Sequence, residues 1–381
     1  MDFDWTEEQK ALRTSAAGFA SRRLADGVID REARHEFSRE LWQACADFGL
    51  QGLMAPESLG GGGHDLLTSV AILEAIGAAA LDNGLVFAVT AHTASCTGPI
   101  VDFGGDEQHQ RWLPGLNDGS IIGATGITEP DSGSNVLGLA TTATRDGDDW
   151  ILDGCKTFVT NAPIADLLLI YARTAASGFA ALTCFIVPAD TAGIDIGPPI
   201  EKMGLRTSPM AQVFLDGCRV PASAVLGGVG SGAMVFNQTM DLERLLVMAP
   251  AVGVMERVLD RCVEHARERT TGSGPIGGNQ AISHAVADME LDLDGSRLLL
   301  HRAAWRRMYH GTATRESALA KLAVSEAYVR CCRRAIQIFG GYGYMTEYEL
   351  ERELRDALAT TIYVGTSEIQ RNLIAGLRGL K

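Results

Sequence analysis

The stretch TTATRDGDDWILDGCKTFVT, residues 141–160, decides the fold. Threonines, aliphatics and aromatics alternate with polar residues over runs too short for helices, and Asp-Gly pairs punctuate them. That texture predicts strands, with a hairpin turning at Asp153-Gly154. LLLIYAR (167–173), LTCFIVP (182–188) and AQVFLDGCRVP (211–221) carry it onward, so residues 122–230 read as a β domain. On both sides the apolar period lengthens from two residues to the helical spacing. Leu41, Trp42, Cys45 and Phe48, and later Val70, Leu73 and Ile76, make residues 1–121 a helical domain. DLERLLVMAPAVGVMERVLDRCVEHARER (241–269) and KLAVSEAYVRCCRRAIQIF (321–339) are long helical patterns with short connections, which makes residues 231–381 a helical bundle. The class is α+β, in three domains, with no internal repeat.

Composition narrows the function. With 33 basic and 47 acidic residues the formal charge of the 381-residue chain is -14, which repels phosphate backbones and disfavours nucleic acid as a partner. The N-terminus lacks a basic stretch followed by an apolar run, and no window of uninterrupted apolar residues approaches a bilayer span, so a cytoplasmic protein without membrane contact is expected. The eight cysteines are single or adjacent, without C-x-x-C and without histidine at ligand spacing. They read as structural free thiols, and no metal is expected.

Several short motifs have chemical and plain structural readings in parallel. ITEPDSGSN (127–135) gathers small hydroxyl residues around Gly133, where backbone amides suit a pyrophosphate, yet Pro-Asp-Ser-Gly is also an ordinary turn. Phe158 and Thr160, two apart on a strand, share a face on which a flat ring could rest, unless the strand is simply half-buried. Gly60 to Gly63 follow Pro56 without the Gly-Lys-Ser/Thr of a phosphate loop, and read as a turn between helices. Gly340 and Gly341 suit both a helix C-cap and close approach by a ligand. Thr366 and Ser367 open a helix, with Gln370 placed for a capping box, and the free amides there could hold a phosphate. Glu243 is the most informative residue. Phe236, Thr239, Met240, Leu246, Val247 and Pro250 share its helix face, so a carboxylate sits on an apolar stripe where burial would raise its pKa toward that of a general base. A surface or paired charge is the plain alternative, and Asp241 and Arg244 could pair with each other.

Taken together, ITEPDSGSN, GCKTFVTNA, KMGLRTSPMAQVFLDGCRVP, DLERLL, RCVEHARER, QIFGGYGYM and YVGTSEIQR resemble, in order and over nearly the whole chain, the successive motifs of the acyl-CoA dehydrogenase superfamily. The resemblance implies an N-terminal helical domain, a barrel-like middle β domain, a C-terminal four-helix bundle, non-covalent FAD and a homo-oligomer, dimer or tetramer. It implies FAD contacts from Thr128, Ser134, Phe158 and Thr160 within one subunit. Arg269, Gln280, Gln337, Gly340, Gly341, Thr366, Ser367 and Glu368 match the rest of that set, partly across a subunit interface. Ser134, Asp241, Arg244, Tyr363 and Val364 fall where the thioester or its pantetheine arm lies. Most branches carry the catalytic base at the position of Val364, which here cannot take a proton. A branch that includes isovaleryl-CoA dehydrogenase carries it where this chain has Glu243, in Asp241-Leu242-Glu243-Arg244.

GLVFAVTAHTASCTGPIVDFG, TNAPIADLLLIYA and GGNQAISHAVADMELDLDGSRLLLHRAAW resemble most the branch that oxidises prolyl groups held on carrier proteins in specialised-metabolite pathways. The implied reaction is removal of the α-proton and the β-hydride of an acyl or aminoacyl thioester, with an electron-transfer flavoprotein or oxygen as acceptor. Short branched-chain acyl-CoA oxidation in amino-acid catabolism and flavin monooxygenation on the same fold remain the alternatives. Three positions depart from the family pattern. Gly272 and Ser273 stand where an aromatic that touches FAD is usual, Phe158 replaces a commoner Trp, and Ser208, Pro209 and Met210 replace a more polar segment near the CoA channel. An acidic carrier protein would need a local basic patch, with Arg302, Arg306, Arg307, Arg330, Arg333 and Arg334 as candidates.

Overall fold

Polar caps start most of the N-terminal helices. Thr6 and Gln9 form a reciprocal capping box on α1 (Glu7–Arg23), while Ser38, Asp65 and Asp82 accept from the first-turn amides of α3 (Arg39–Asp47), α4 (Leu66–Ala79) and α5 (Asn83–Ala91). Between and beyond them lie α2 (Val28–Arg34), a wide π-type turn at His92–Thr97, α6 (Gly98–Phe103) and α7 (Asp106–Asn117). The computed structural model describes residues 4–176, 178–272 and 274–380. The helical run Asn83–Phe103 has the length and hydropathy of a membrane span, yet 83% of its most apolar window is buried inside the fold. Core packing accounts for its composition.

The β domain holds β1 (Gly123–Gly126), β2 (Thr142–Asp146), β3 (Asp149–Thr160), β4 (Leu167–Arg173), β5 (Leu182–Pro188), β6 (Ile194–Ile196), β7 (Met210–Pro221) and β8 (Val225–Leu226). They form one sheet in the order β6-β7-β3-β2-β4-β5-β8, with β1 parallel to β4. β6 and β8 end the ladder and no pairing joins them among the described residues, so the sheet is open and the barrel-like closure is not found. The hairpin also differs from expectation. β2 and β3 turn between Asp146 and Asp149, and Asp153-Gly154 lies inside β3 at a register irregularity against β7. The second Asp-Gly forms a bulge because both neighbours continue pairing, which a turn would forbid.

The C-terminal half is built on α8 (Gly232–Glu268), followed by a small ribbon of β9 (Thr270–Thr271) and β10 (Gly274–Pro275), then α9 (Gln280–His310), α10 (Thr314–Phe339), α11 (Leu350–Thr360) and α12 (Ser367–Gly376). The long helices α8, α9 and α10 with α11 make the expected bundle, and α4 docks on α8 so that both helical regions share one core. The crossing is close. A Cβ on Gly253 would lie 2.0 Å from the carbonyl oxygen of Glu74, and one on Gly77 would lie 2.1 Å from that of Pro250. All three domains meet at residues 202–207. Thr207 donates to Asp82 at 2.5 Å, Glu32 accepts from the Arg206 amide at 3.0 Å, and Asp356 of α11 accepts from the Leu205 amide at 2.6 Å.

Candidate active site

Glu243 lies three turns into α8, with Thr239, Leu246, Val247 and Pro250 buried around it. It is half-buried and has no hydrogen bond or ion pair among the described residues. Loss of water around the carboxylate raises its pKa from 4.5 to about 7, and the adjacent Arg244 charge only partly opposes this. Arg244 is occupied elsewhere. It meets Asp241 at 3.1 Å, and Asp241 in turn accepts from Thr314 at 2.7 Å and Ser317 at 3.1 Å. The alternative pairing of Asp241 with Arg244 is therefore realised, and it pins α8 to the start of α10.

A pocket continues along the same face of α8. Val247, Pro250, Ala251 and Val254 form one wall, Val86, Phe87 and Thr90 of α5 a second, and Thr360 and Tyr363 a third. Tyr363 stacks on Phe87 with centroids 4.7 Å apart, and its hydroxyl has no partner among the described residues. Burial raises the pKa of Tyr363 and of Tyr171 in β4, and the charge of Glu243 adds to both, which places both hydroxyls within electrostatic reach of that carboxylate. The far end is polar. Asn83 donates to Glu353 at 2.8 Å and to Asp356 at 3.0 Å. Burial alone would raise the pKa of Glu353, but Arg257, Arg352 and Asn83 together hold it down to about 2. Asp356, buried beside the Glu353 charge, is pushed up to about 7 although Arg352 opposes.

Thr128, Phe158 and Thr160 gather on the β domain, where the Thr157 amide donates to the Thr128 carbonyl at 2.8 Å. Phe158 stands in a bulge between Lys156 and Val159 at φ +55, with 60% of its surface exposed. An aromatic held in the left-handed region and turned to solvent is strain that the surrounding ladder enforces. Ser134 is exposed in the same loop. Sequence reading missed what holds that loop. Lys156 and Glu129, both buried, pair at 2.6 Å, and Glu129 also accepts from the Thr141 amide at 2.9 Å. A lysine within a strand of buried alternation was the available signal. Phe87 and Thr90 were missed as well, because their stretch entered only as part of GLVFAVTAHTASCTGPIVDFG, a fragment of the branch resemblance that singled out no residue.

Val364 and Gly365 sit at φ +54 and +86, leading into α12, whose cap Thr366 accepts from the Ile369 amide at 3.3 Å. Gln370 falls one position beyond the capping-box site, and instead its amide donates to the carbonyls of Val364 at 3.2 Å and Gly365 at 2.9 Å. The Ser367 hydroxyl is buried without a partner among the described residues, while Glu368 is exposed and meets Arg371 at 3.5 Å. The remaining cofactor candidates lie elsewhere. Arg269 caps the distal end of α8, roughly 39 Å along the helix from Glu243 at about 1.5 Å per residue. Gln280 opens α9, Gln337 and Gly340 close α10 beside Gly341, and that end is tied together by Phe339 stacked on His265 at 4.0 Å and Arg269 over the Tyr342 ring at 5.6 Å. Gly272 lies there in open space, and Ser273 falls outside the described residues.

The family descriptions for the acyl-CoA dehydrogenase N-terminal, middle and C-terminal domains match residues 6–120, 124–218 and 230–376. The chain belongs to the acyl-CoA dehydrogenase family. It is 40% identical over 377 residues to the L-prolyl-[peptidyl-carrier protein] dehydrogenase of Pseudomonas fluorescens, covering 98% of this chain and 99% of that one. It is 36% identical over 371 residues to the short-chain specific acyl-CoA dehydrogenase of mouse mitochondria, covering 97% and 90%. The solved structure of PigA with FAD and proline superposes with a TM-score of 0.98 at 33% identity, over the full length of both chains. As a member of this family the chain is an FAD-dependent oxidoreductase of acyl thioesters. Its own residues fit that cofactor: the exposed Phe158 face, the Thr128 and Thr160 hydroxyls beside it, and the orphaned Ser367 hydroxyl at a helix N-terminus are the stacking surface and donors that a flavin dinucleotide needs.

Proposed function

We propose that this enzyme oxidises a short aminoacyl thioester of the prolyl type, held on a carrier protein, with Glu243 as the base. The observation that carries the assignment is a carboxylate without a partner among the described residues, poised near pH 7 one turn of α8 before the apolar pocket lined by Val247 and Pro250. The high identity to the prolyl dehydrogenase of Pseudomonas fluorescens supports the acyl group and its carrier. Glu243 takes the α-proton, and the mainly apolar walls from α5 and α8 exclude water while the acyl group is held. Thr128, Phe158, Thr160, Ser134 and the 366–368 turn hold the FAD, which when bound supplies the acceptor for the β-hydride. Tyr363 presents its free hydroxyl to the acyl group, Val364 closes the pocket beside it, and Asp241 and Arg244 keep α8 and α10 in register around the thioester arm.

Arg269, Gln280, Gln337, Gly340 and Gly341 lie too far from Glu243 to touch the same dinucleotide in one chain, so a second copy supplies them and the working unit is a homo-oligomer. Domains of 1–121, 122–230 and 231–381 follow from the same reading. Eight free cysteines suit a reducing cytoplasm, and an electron-transfer flavoprotein or oxygen takes the electrons onward. Rapid mixing of the FAD-loaded enzyme with prolyl-loaded carrier protein, and separately with isovaleryl-CoA, tests the substrate. Fast flavin bleaching by the carrier-bound prolyl group alone is expected. Bleaching by the CoA ester alone would make the enzyme a short branched-chain catabolic dehydrogenase.

A further inference from the structure

The pocket beside Glu243 runs toward the C-terminal end of α8, along Val247, Pro250 and Val254. A thioester whose acyl group fills it leaves the rest of its length pointing the other way, toward the start of α8. Met234 lies about 13.5 Å from Glu243 along the helix, a span that an extended pantetheine arm covers. Three segments meet at that end. The 3-10 turn Phe179–Ala181 packs on the entry to α8, where a Cβ on Gly230 would lie 2.9 Å from the Ala180 carbonyl oxygen and the Gly230 amide donates to Thr183 at 2.9 Å. Arg173 joins the third segment, donating to the carbonyls of Leu137 at 2.7 Å, Leu139 at 3.1 Å and Ala176 at 3.1 Å. Each segment turns an apolar side chain to solvent: Leu137 is 50% exposed, Phe179 and Val229 57%, and Met234 40%. Exposed apolar side chains gathered at the mouth of a site mark an interaction surface.

Charge decides what meets that surface. None of residues 132–140, 174–181 and 222–240 is charged, in a chain with 33 basic and 47 acidic residues. The mouth is thus a gap in a negative surface that elsewhere repels an acidic partner. Arg173 at its centre is half-buried and spends its donors on carbonyls, with no ion pair among the described residues, so its positive charge is not neutralised. The arginines considered above for a basic patch are less suited. Arg330 and Arg334 are neutralised by Asp292 at 2.6 Å, and Arg307, which donates to the Gln238 carbonyl at 3.2 Å, also meets Asp102 at 3.6 Å. A CoA ester would bring its nucleotide phosphates to the same place, where the three uncharged segments hold no lysine or arginine for them. Building on the proposed function, we propose that Leu137, Phe179, Val229 and Met234 form the docking surface for an acidic carrier protein, whose pantetheine arm enters along α8 to reach Glu243. The apolar side chains supply the contact, and Arg173 sets the sign of the charge it accepts.

Flavin reduction in the FAD-loaded enzyme tests this with two substrates, prolyl-loaded carrier protein and prolyl-pantetheine, which has the arm without the protein. Val229→Glu and Phe179→Glu are each expected to raise the half-saturating concentration of the carrier substrate about tenfold, and Val229→Lys to lower it about threefold, with added salt narrowing the gap. All three should keep bound FAD and the native response to prolyl-pantetheine, and Phe179→Leu should match the native enzyme on both substrates. Equal behaviour of Val229→Glu and Val229→Lys toward the carrier substrate, or equal losses on both substrates, would overturn the proposal. If the native enzyme oxidises prolyl-pantetheine and the variants leave the carrier response unchanged, the docking surface is wrong and the proposed reaction stands. A native enzyme that oxidises neither substrate would overturn the reaction and the surface together.

Discussion

At the residue scale the account rests on Glu243, whose raised pKa has two consequences. A base works deprotonated, so the rate of flavin reduction by substrate should climb with pH and reach half its maximum near pH 7 in the free enzyme. Stability moves the other way. The folded state holds the proton between 4.5 and about 7 while the unfolded state has lost it, so folding free energy falls as pH rises through that window. Thermal melts should therefore find Glu243→Gln more stable than the native protein at pH 8, by on the order of 1–3 kcal/mol, and little different at pH 5. Val364 directly follows Tyr363, which lines the pocket and senses the Glu243 charge. The double variant Glu243→Ala, Val364→Glu should recover part of the flavin bleaching that Glu243→Ala loses. Glu243 was legible in the sequence because a lone carboxylate on a stripe of Val247 and Pro250 needs an explanation. Its lack of a partner was not legible, since Arg244 is adjacent in sequence and only the fold directs that guanidinium to Asp241.

At the element scale, α4 and α8 touch backbone to backbone through Gly77 and Gly253. Gly253→Ala would press a methyl against the Glu74 carbonyl and should cost about 1–3 kcal/mol in thermal or denaturant unfolding, with the pocket wall at Val254 displaced. The polar floor of the pocket is a second such joint. Glu353 holds Arg257 at 2.8 Å in the buried interior, whereas Arg352 keeps Glu349 at 2.7 Å, so Glu353→Gln leaves the Arg257 cation without its carboxylate and should cost about 3–5 kcal/mol in denaturant unfolding. Helix periods were readable locally, while the caps Thr6, Ser38 and Asp65, which also act within a few residues of themselves, were local signals that the sequence reading did not use. β3 was less so. Asp153-Gly154 has the chemistry of a tight turn, and only pairing with β7, some sixty residues on, turns it into a bulge. The floor was unreadable for the same reason, since Asn83, Arg257 and Glu353 are distant in sequence.

For the whole molecule, the order of helices, sheet and bundle was evident from the change of apolar period near residues 122 and 230, and the matched family domains follow the same order. Closure of the sheet was not written in that texture, because alternation fixes which side chains face the core and leaves the end strands free. Nor could spacing along the chain reveal that the proposed cofactor residues fall into two groups separated by the length of α8. On the proposed function, that separation would make a second copy part of the active site. The central claim, however, concerns one carboxylate acting on a carrier-bound thioester, and anaerobic stopped-flow of the FAD-loaded native enzyme and Glu243→Gln with prolyl-loaded carrier protein tests it most directly. The native flavin should bleach on the timescale of a single turnover while the variant keeps its FAD and its yellow absorbance. Bleaching of Glu243→Gln at the native rate would contradict the account.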